Sequence, residues 1–118
     1  MSPQGHEIEI KEGSARVRVV RDGQVVADSR RPLMLFETGL PVRYYLPPED
    51  VRTDLLVPSE THTYCPFKGT ASYYSHPDGT ADLVWYYPDP KPEVAAIKDH
   101  LCFYEAEVTE TTEATGTA

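Results

Sequence analysis

The chain has 118 residues and a formal net charge of −8, with 19 acidic against 11 basic side chains. This length predicts one domain whose core holds together without disulfides or metal ions. The acidic balance argues against a duplex nucleic-acid partner, because its phosphates would be repelled rather than neutralised. No segment approaches the roughly 20 apolar residues of a membrane-spanning helix, so we expect no membrane partner.

The N-terminal sequence and the cysteines bear on location. The first residues show neither a basic start nor an apolar stretch, so we expect no secretory signal. Cys65 and Cys102 lie far apart and follow no disulfide-scaffold spacing. We therefore expect a cytoplasmic protein with both thiols reduced.

Composition divides the chain into three parts and favours β structure. Eleven prolines and eight tyrosines favour short strands and turns over helices. Residues 1–14 precede the first clear strand pattern and are interpreted as an N-terminal extension, and residues 15–108 as one β domain. Residues 109–118 are acidic and Thr-rich and predict a disordered tail, because they offer little apolar surface to bury.

The domain opens with a predicted hairpin. Residues 15–19 alternate apolar and charged side chains, as a half-buried strand does. Asp22-Gly23 supplies a tight turn, after which residues 24–29 return as the second strand. A second strand pair is predicted at 33–36 and 42–46, with a turn at 39–41 between them.

The remaining elements are short. One helical turn is predicted at 47–51, where prolines and acids suit the start of a helix. Strands are predicted at 60–64, 70–75, 81–87 and 101–108. Residues 92–98 begin with Pro and Glu and end with Lys, which predicts a short helix. The fold expected is mainly β, with about seven or eight short antiparallel strands in a barrel-like or sandwich arrangement and one short C-terminal helix.

Five sequence motifs lie along the chain in the order found in one family. They occupy residues 25–29, 37–47, 65–69, 85–88 and 97–104. The chain therefore resembles the DUF427 family, small bacterial and fungal domains without an established function, over roughly residues 15–104. Some classifications give this family a nucleotidyltransferase-like label.

The sequence argues against that label. Nucleotidyl transfer by two metal ions needs paired carboxylates, usually Asp-x-Asp soon after Gly-Ser, to clamp the attacking and leaving oxygens. Here Gly13-Ser14 is present, but the next acid, Asp22, is followed by Gly23-Gln24. The metal-binding pair is missing, and we discount the label.

The densest group of reactive side chains lies around one turn, at residues 61–74. Cys65 is a candidate nucleophile, Lys68 would favour its thiolate form, and His62 would serve as the base. Within one regular strand His62 and Cys65 would point to opposite faces, so their pairing requires a bend. The alternative is that Cys65 is a small buried hydrophobic residue and Lys68 a turn residue with a solvated amine.

The same region offers a weaker argument for zinc. His62, Cys65, His100 and Cys102 carry the right atoms. Structural zinc sites more often use Cys-x-x-Cys pairs, and neither half of this set has that spacing. We predict no metal and no cofactor.

Aromatic residues on the predicted strands would line a concave site. Tyr73 shares a strand face with Ala71, and Trp85 shares one with Tyr87. These side chains, with Tyr44 and Tyr45, would form the walls of a small-molecule pocket. The alternative is that they are core packing, with their hydroxyl groups finding partners at the rim.

Basic residues beside these aromatic residues would recognise an anion. Arg43 would bind it with a planar fork and Lys68 with a point charge. Glu37 would orient Arg43 or act as an acid or base. The alternative is a structural salt bridge between Arg43 and either Glu37 or Asp50.

Three functions remain open. The first is a module that binds a small anionic or aromatic ligand in the Tyr/Trp-lined pocket. The second is an enzyme that uses Cys65 with Lys68 and His62. The third is a homodimeric interaction domain that buries the tyrosine-rich surface, since such residues concentrate binding energy at interfaces. Whether the protein is an enzyme stays open at this point.

Overall fold

The fold is built almost entirely from short strands. The computed structural model describes residues 5–109. The strands are β1 (Ile8–Glu12), β2 (Arg16–Arg21), β3 (Gln24–Ser29), β4 (Leu33–Glu37), β5 (Arg43–Tyr45), β6 (Val57–Cys65), β7 (Gly69–Ser75), β8 (Val84–Tyr86), β9 (Leu101–Phe103) and β10 (Glu107–Thr109). Short 3₁₀ helices occupy Pro48–Asp50, Thr53–Leu55 and Pro92–Ile97. The predicted mainly β class is confirmed.

The strands form three antiparallel sheets. Their orders are β1-β4-β5, β10-β2-β3 and β6-β7-β8-β9. The first and third sheets meet where Leu46 and Leu101 exchange two backbone hydrogen bonds, each with an N–O distance of 2.8 Å. This bridge places β5 beside β9. Over residues 5–109 the strands close no barrel.

The predicted opening hairpin is confirmed. β2 pairs with β3, and the turn residues Asp22 and Gly23 have φ values of 53° and 78°. Positive φ at both central positions matches the right-handed twist of the flanking strands. The predicted second pair is also present, because β4 pairs with β5.

Two differences raise the number of strands to ten. β1 lies within residues 1–14, where no strand was predicted, and pairs along its whole length with β4. Its Ile8 and Ile10 alternate with charged residues and pack against the core. The single predicted strand at 101–108 is instead two strands, because the chain bends after Phe103 and its second part pairs with β2.

The short helix predicted at 92–98 is not confirmed as a regular helix. Pro92–Ile97 is 3₁₀ helix, and Val94 within it has the non-helical angles φ −125° and ψ 29°. The kink lets Val94 and Ile97 both reach the core, where each is almost fully buried. Burial of two apolar side chains therefore outweighs regular helical geometry over so few residues.

Two clusters of buried side chains make up the core. One packs β2 and β3 against Leu46, Val84 and Leu101. The other is aromatic and contains Tyr45, Tyr73, Trp85 and Tyr87 beside Leu35, Ala71, Val94, Ile97 and Cys102. The aromatic cluster lies under the candidate site described below.

Two sequence expectations concern the ends and the membrane. Residues 110–118 of the predicted tail lie outside the described residues, and Thr109 is the last residue of β10. None of the helices within 5–109 has the length and apolar character needed to cross a bilayer.

We predict that Ile97→Ala lowers the free energy of unfolding by about 2–5 kcal/mol, because it leaves a cavity under the 3₁₀ segment. Urea denaturation followed by circular dichroism measures the change. Leu40→Ala is the control, since Leu40 is 58% exposed, and should change stability by less than about 0.5 kcal/mol. Equal losses in the two variants would contradict the described packing of Ile97.

Candidate functional site

A cavity of about 210 Å³ opens above the aromatic cluster. Its lining residues are Glu37, Leu40, Pro41, Arg43, Tyr45, Lys68, Tyr73, Trp85, Tyr87 and Tyr104. The structure therefore brings together seven residues of the predicted site: Glu37, Arg43, Tyr45, Lys68, Tyr73, Trp85 and Tyr87. Tyr44, His62 and Cys65 are not among those that line the cavity.

Strand register places the aromatic residues. Tyr73 of β7 lies directly opposite Trp85 of β8, and Trp85 lies opposite Cys102 of β9. Directly opposite residues in antiparallel strands point to the same face, so these side chains are neighbours. The bridge from Leu46 to Leu101 then sets Tyr45 beside them.

Trp85 and Tyr45 are joined by a buried hydrogen bond. The Trp85 Nε1–H donates to the Tyr45 hydroxyl at 3.1 Å, and the two rings meet edge to face at 86°. Burial raises the pKa of Tyr45, so its phenol stays protonated. Both residues belong to the core cluster and also line the cavity, so the packing interpretation is confirmed for them, while their role in a ligand pocket stays a prediction.

Lys68 and Glu37 form a buried ion pair. Lys68 Nζ donates to Glu37 Oε1 at 2.6 Å, and the two side chains are 10% and 8% exposed. The alternative that Lys68 carries a solvated amine is therefore wrong. Burial acts to raise the pKa of Glu37, but hydrogen bonds from Lys68 and His6 outweigh it and hold that pKa below its usual value. Glu37 is thus a charged carboxylate at neutral pH.

His6 is a member of this cluster that the sequence analysis missed. Its Nε2 lies 3.0 Å from Glu37 Oε2, and its ring stacks on Phe67 at a centroid distance of 3.9 Å. His6 lies within residues 1–14, which were interpreted as an extension. The alternation around Ile8 and Ile10 was the available signal, because a strand there brings His6 close to β4.

Arg43 is the cation of the cavity without an acidic partner. Its Cζ lies 5.3 Å from the centroid of the Trp85 ring. Neither predicted salt bridge forms: Glu37 pairs with Lys68, and Asp50 pairs with Arg31 at 3.1 Å. Across residues 5–109, no carboxylate forms an ion pair with Arg43. Its contact with the neutral Trp85 ring is a cation–π interaction, which leaves the positive charge without a counter-charge from these residues.

The structure brings together only two of the three residues predicted for a thiol site at Cys65. Lys68 Nζ donates to Cys65 Sγ at 3.8 Å, a weak contact with the amine that pairs with Glu37. His62 Nδ1 instead lies 3.2 Å from Ser72 Oγ on the neighbouring strand. Strand alternation separates His62 from Cys65, so the pairing of these two residues as base and nucleophile is not supported by their contacts.

The turn that carries Lys68 is held by a close backbone approach. Gly69 has a φ of 116°, and a Cβ there would lie 3.2 Å from the carbonyl oxygen of Asp89. The Lys91 N–H donates to the Lys68 carbonyl at 2.9 Å. Glycine alone fits this position without strain. The turn that it allows carries Lys68, whose side chain is buried.

The remaining predicted residues have other surroundings. Tyr44 packs against the first core cluster, on the opposite side of β5 from Tyr45. Burial raises the pKa of the Cys102 thiol to about 12, so it is neutral. No group of three or more His, Cys, Asp or Glu residues within 5–109 is arranged to hold a metal ion, and the four candidate zinc ligands form no such group.

Three residues of the cavity were not singled out from the sequence. Leu40 and Pro41 come from the turn between β4 and β5, and Tyr104 follows β9. The Tyr104 and Trp85 rings lie 4.5 Å apart between centroids. Burial, followed by contact with Tyr73, raises the pKa of Tyr104. Leu40 and Pro41 lie in a turn, which carries no periodic signal. Tyr104 falls inside the strand predicted at 101–108, but the observed strand ends at Phe103.

Comparison with known proteins identifies the family. The family model described as domain of unknown function DUF427 matches residues 9–114. The chain belongs to this family, as the five motifs predicted. A comparison with curated proteins found no match.

We predict that Glu37 stabilises the fold in a pH-dependent way. Folding lowers the pKa of Glu37. The carboxylate's contribution to folding stability is therefore fully present above the pKa of the unfolded chain, about 4.3, and is lost as pH falls through the pKa of the folded protein. The stability advantage of wild type over Glu37→Gln should therefore shrink between about pH 6 and pH 3. Urea denaturation at each pH measures it.

Glu12→Gln is the matched control, because Glu12 is exposed. Its stability difference from wild type should stay nearly constant over the same range. A Glu37→Gln difference that is equally flat with pH would contradict the role of the charged carboxylate.

Proposed function

We propose that this member of the DUF427 family binds a small ligand in the cavity, with an anionic group, an aromatic ring or both. The proposal rests mainly on the surroundings of Arg43. Its guanidinium lines a cavity with aromatic walls and forms no ion pair within residues 5–109. A cation in such a setting gains most from an anion that reaches it, because the partly closed surroundings strengthen the attraction.

The rest of the lining supports a ligand site. Trp85, Tyr73, Tyr87 and Tyr104 supply flat apolar surface, and Lys68 and Glu37 supply fixed polar groups. Small-molecule sites combine these two kinds of surface in this way. The ion pair also fixes Lys68 in place before a ligand arrives, which reduces the entropy lost on binding.

We predict that Arg43→Gln folds normally and loses affinity for anionic fragments. The substitution removes the charge at a partly exposed position, so the fold should tolerate it, while loss of a charge-assisted hydrogen bond should weaken binding roughly tenfold or more. The single indole N–H signal of Trp85 in ¹H-¹⁵N NMR spectra reports binding, since the chain has one tryptophan. A mixed fragment set of acids, bases and neutral rings is the probe.

Two controls make this test specific. Arg31→Gln removes an arginine that pairs with Asp50 outside the cavity and should leave fragment binding unchanged. Lys68 is tested in the double variant Glu37→Gln/Lys68→Met, because Lys68→Met alone would leave a buried carboxylate without its main partner. Unchanged affinity in Arg43→Gln, or no fragment that shifts the Trp85 signal, would overturn the proposal.

One contact favours a second candidate, thiol chemistry at Cys65. The Lys68 amine that donates to Cys65 Sγ would stabilise a thiolate. We predict that iodoacetamide labels Cys65 several-fold faster in wild type than in Glu37→Gln/Lys68→Met at pH 7. Mass spectrometry of proteolytic peptides separates Cys65 from the buried Cys102. His62→Ala is the control and should leave the rate unchanged, because His62 contacts Ser72.

Equal labelling rates in wild type and the double variant would remove Lys68 as an activating group, and with it the thiol candidate. The homodimeric interaction domain stays a prediction. Its mass in solution would distinguish it from the other two.

A further inference from the structure

We infer that the ligand is an aromatic monocarboxylate of about the size of benzoate, with its carboxylate bound by Arg43. This inference rests on the proposed function and narrows it to one chemical class. It follows from three properties of the cavity: the charge that remains unbalanced, the shape of the group that carries it, and the space between the aromatic walls.

The lining residues carry one unbalanced positive charge. Their ionic side chains are Glu37, Arg43 and Lys68, which give −1, +1 and +1 and therefore a sum of +1. Lys68 is neutralised by Glu37 at 2.6 Å, so the surplus charge is that of Arg43. A ligand with one negative charge balances it. A dianion such as a phosphate monoester would bring a second negative charge close to the Glu37 carboxylate, which is unfavourable.

The guanidinium suits a carboxylate in shape. Its planar fork of N–H groups matches the two oxygens of a carboxylate. Arg43 forms no side-chain hydrogen bond with another residue in 5–109, and its contact with the Trp85 ring is electrostatic. Its donors therefore remain available to two ligand oxygens.

Lys68 adds a place for a neutral acceptor on the same ligand. An ammonium group has three N–H donors. Two are directed to Glu37 Oε1 and Cys65 Sγ, and no further acceptor from the described part of the chain is hydrogen-bonded to this amine. A ring hydroxyl or ether oxygen would receive the third, which predicts that a hydroxybenzoate isomer binds more tightly than benzoate.

The cavity volume sets the size of the ligand. Its 210 Å³ lie below the roughly 300–1,000 Å³ of pockets that hold drug-sized ligands. One ring with a carboxylate and a small substituent fills this space. Tyr104 and Leu40 at the edge are 53% and 58% exposed, so a ring bound there would cover apolar surface that now faces water.

The test compares four probes on the full chain by shifts of the Trp85 indole signal. Benzoate carries the ring and the charge, benzyl alcohol the ring alone, cyclohexanecarboxylate the charge alone, and phenyl phosphate the ring with more charge. We expect benzoate to bind at least about tenfold more tightly than each of the others. Arg43→Gln should lose that preference, Arg43→Lys should retain part of it because it keeps the charge, and Arg31→Gln should retain it fully.

Each unexpected result would contradict one part of the inference. If benzyl alcohol binds as tightly as benzoate, the ligand does not need a carboxylate. If cyclohexanecarboxylate binds as tightly as benzoate, the ligand does not need an aromatic ring. Tighter binding of phenyl phosphate would overturn the single charge. If none of the probes binds but other fragments still shift the Trp85 signal, this inference fails while the proposed function stands. If nothing shifts the signal, both fail.

Discussion

The buried ion pair between Lys68 and Glu37 is the interaction on which the site depends. It joins the turn after β6 to the end of β4, segments 31 residues apart in the chain. Taking both charges out of water costs free energy, which the 2.6 Å contact and the additional hydrogen bond from His6 offset. Because Lys68 is neutralised within the protein, Arg43 is the lining residue whose positive charge has no ion-pair partner within residues 5–109.

The cavity shares its walls with the hydrophobic core. Tyr45 and Trp85 pack in the aromatic cluster, and their hydrogen bond fixes the orientation of both rings. The Leu46–Leu101 bridge holds the two sheets that supply them in one register. A cavity made of core side chains has little freedom to change its shape, because those side chains are closely packed.

Local sequence patterns predicted the parts of the fold that depend on neighbours in the chain. Asp22-Gly23 between alternating residues gave the first hairpin, and the period of two along β7 and β8 placed Tyr73 and Trp85 on one face. Contacts between distant strands carry no such pattern. The pairing of Glu37 with Lys68 rather than Arg43 therefore required the three-dimensional structure.

The features that the sequence did not predict also depend on contacts between distant parts of the chain. His6 and Tyr104 lie outside regular strands, and they reach the site because β1 and β9 pair with strands far away in sequence. The kinked segment at Pro92–Ile97 follows the core rather than its own helical signals, since two apolar residues are buried by bending it. The sequence analysis named seven of the ten residues that line the cavity, while the partners of each charge depended on tertiary structure.

The position of His6 has a practical consequence for handling the protein. Its ring stacks on Phe67 and contacts Glu37 just before β1 begins. An affinity tag fused close to this end, or a start site moved beyond residue 7, would change the surroundings of the buried carboxylate. Recombinant versions that differ only in their first residues would then differ at the site itself, so a C-terminal tag is the safer choice.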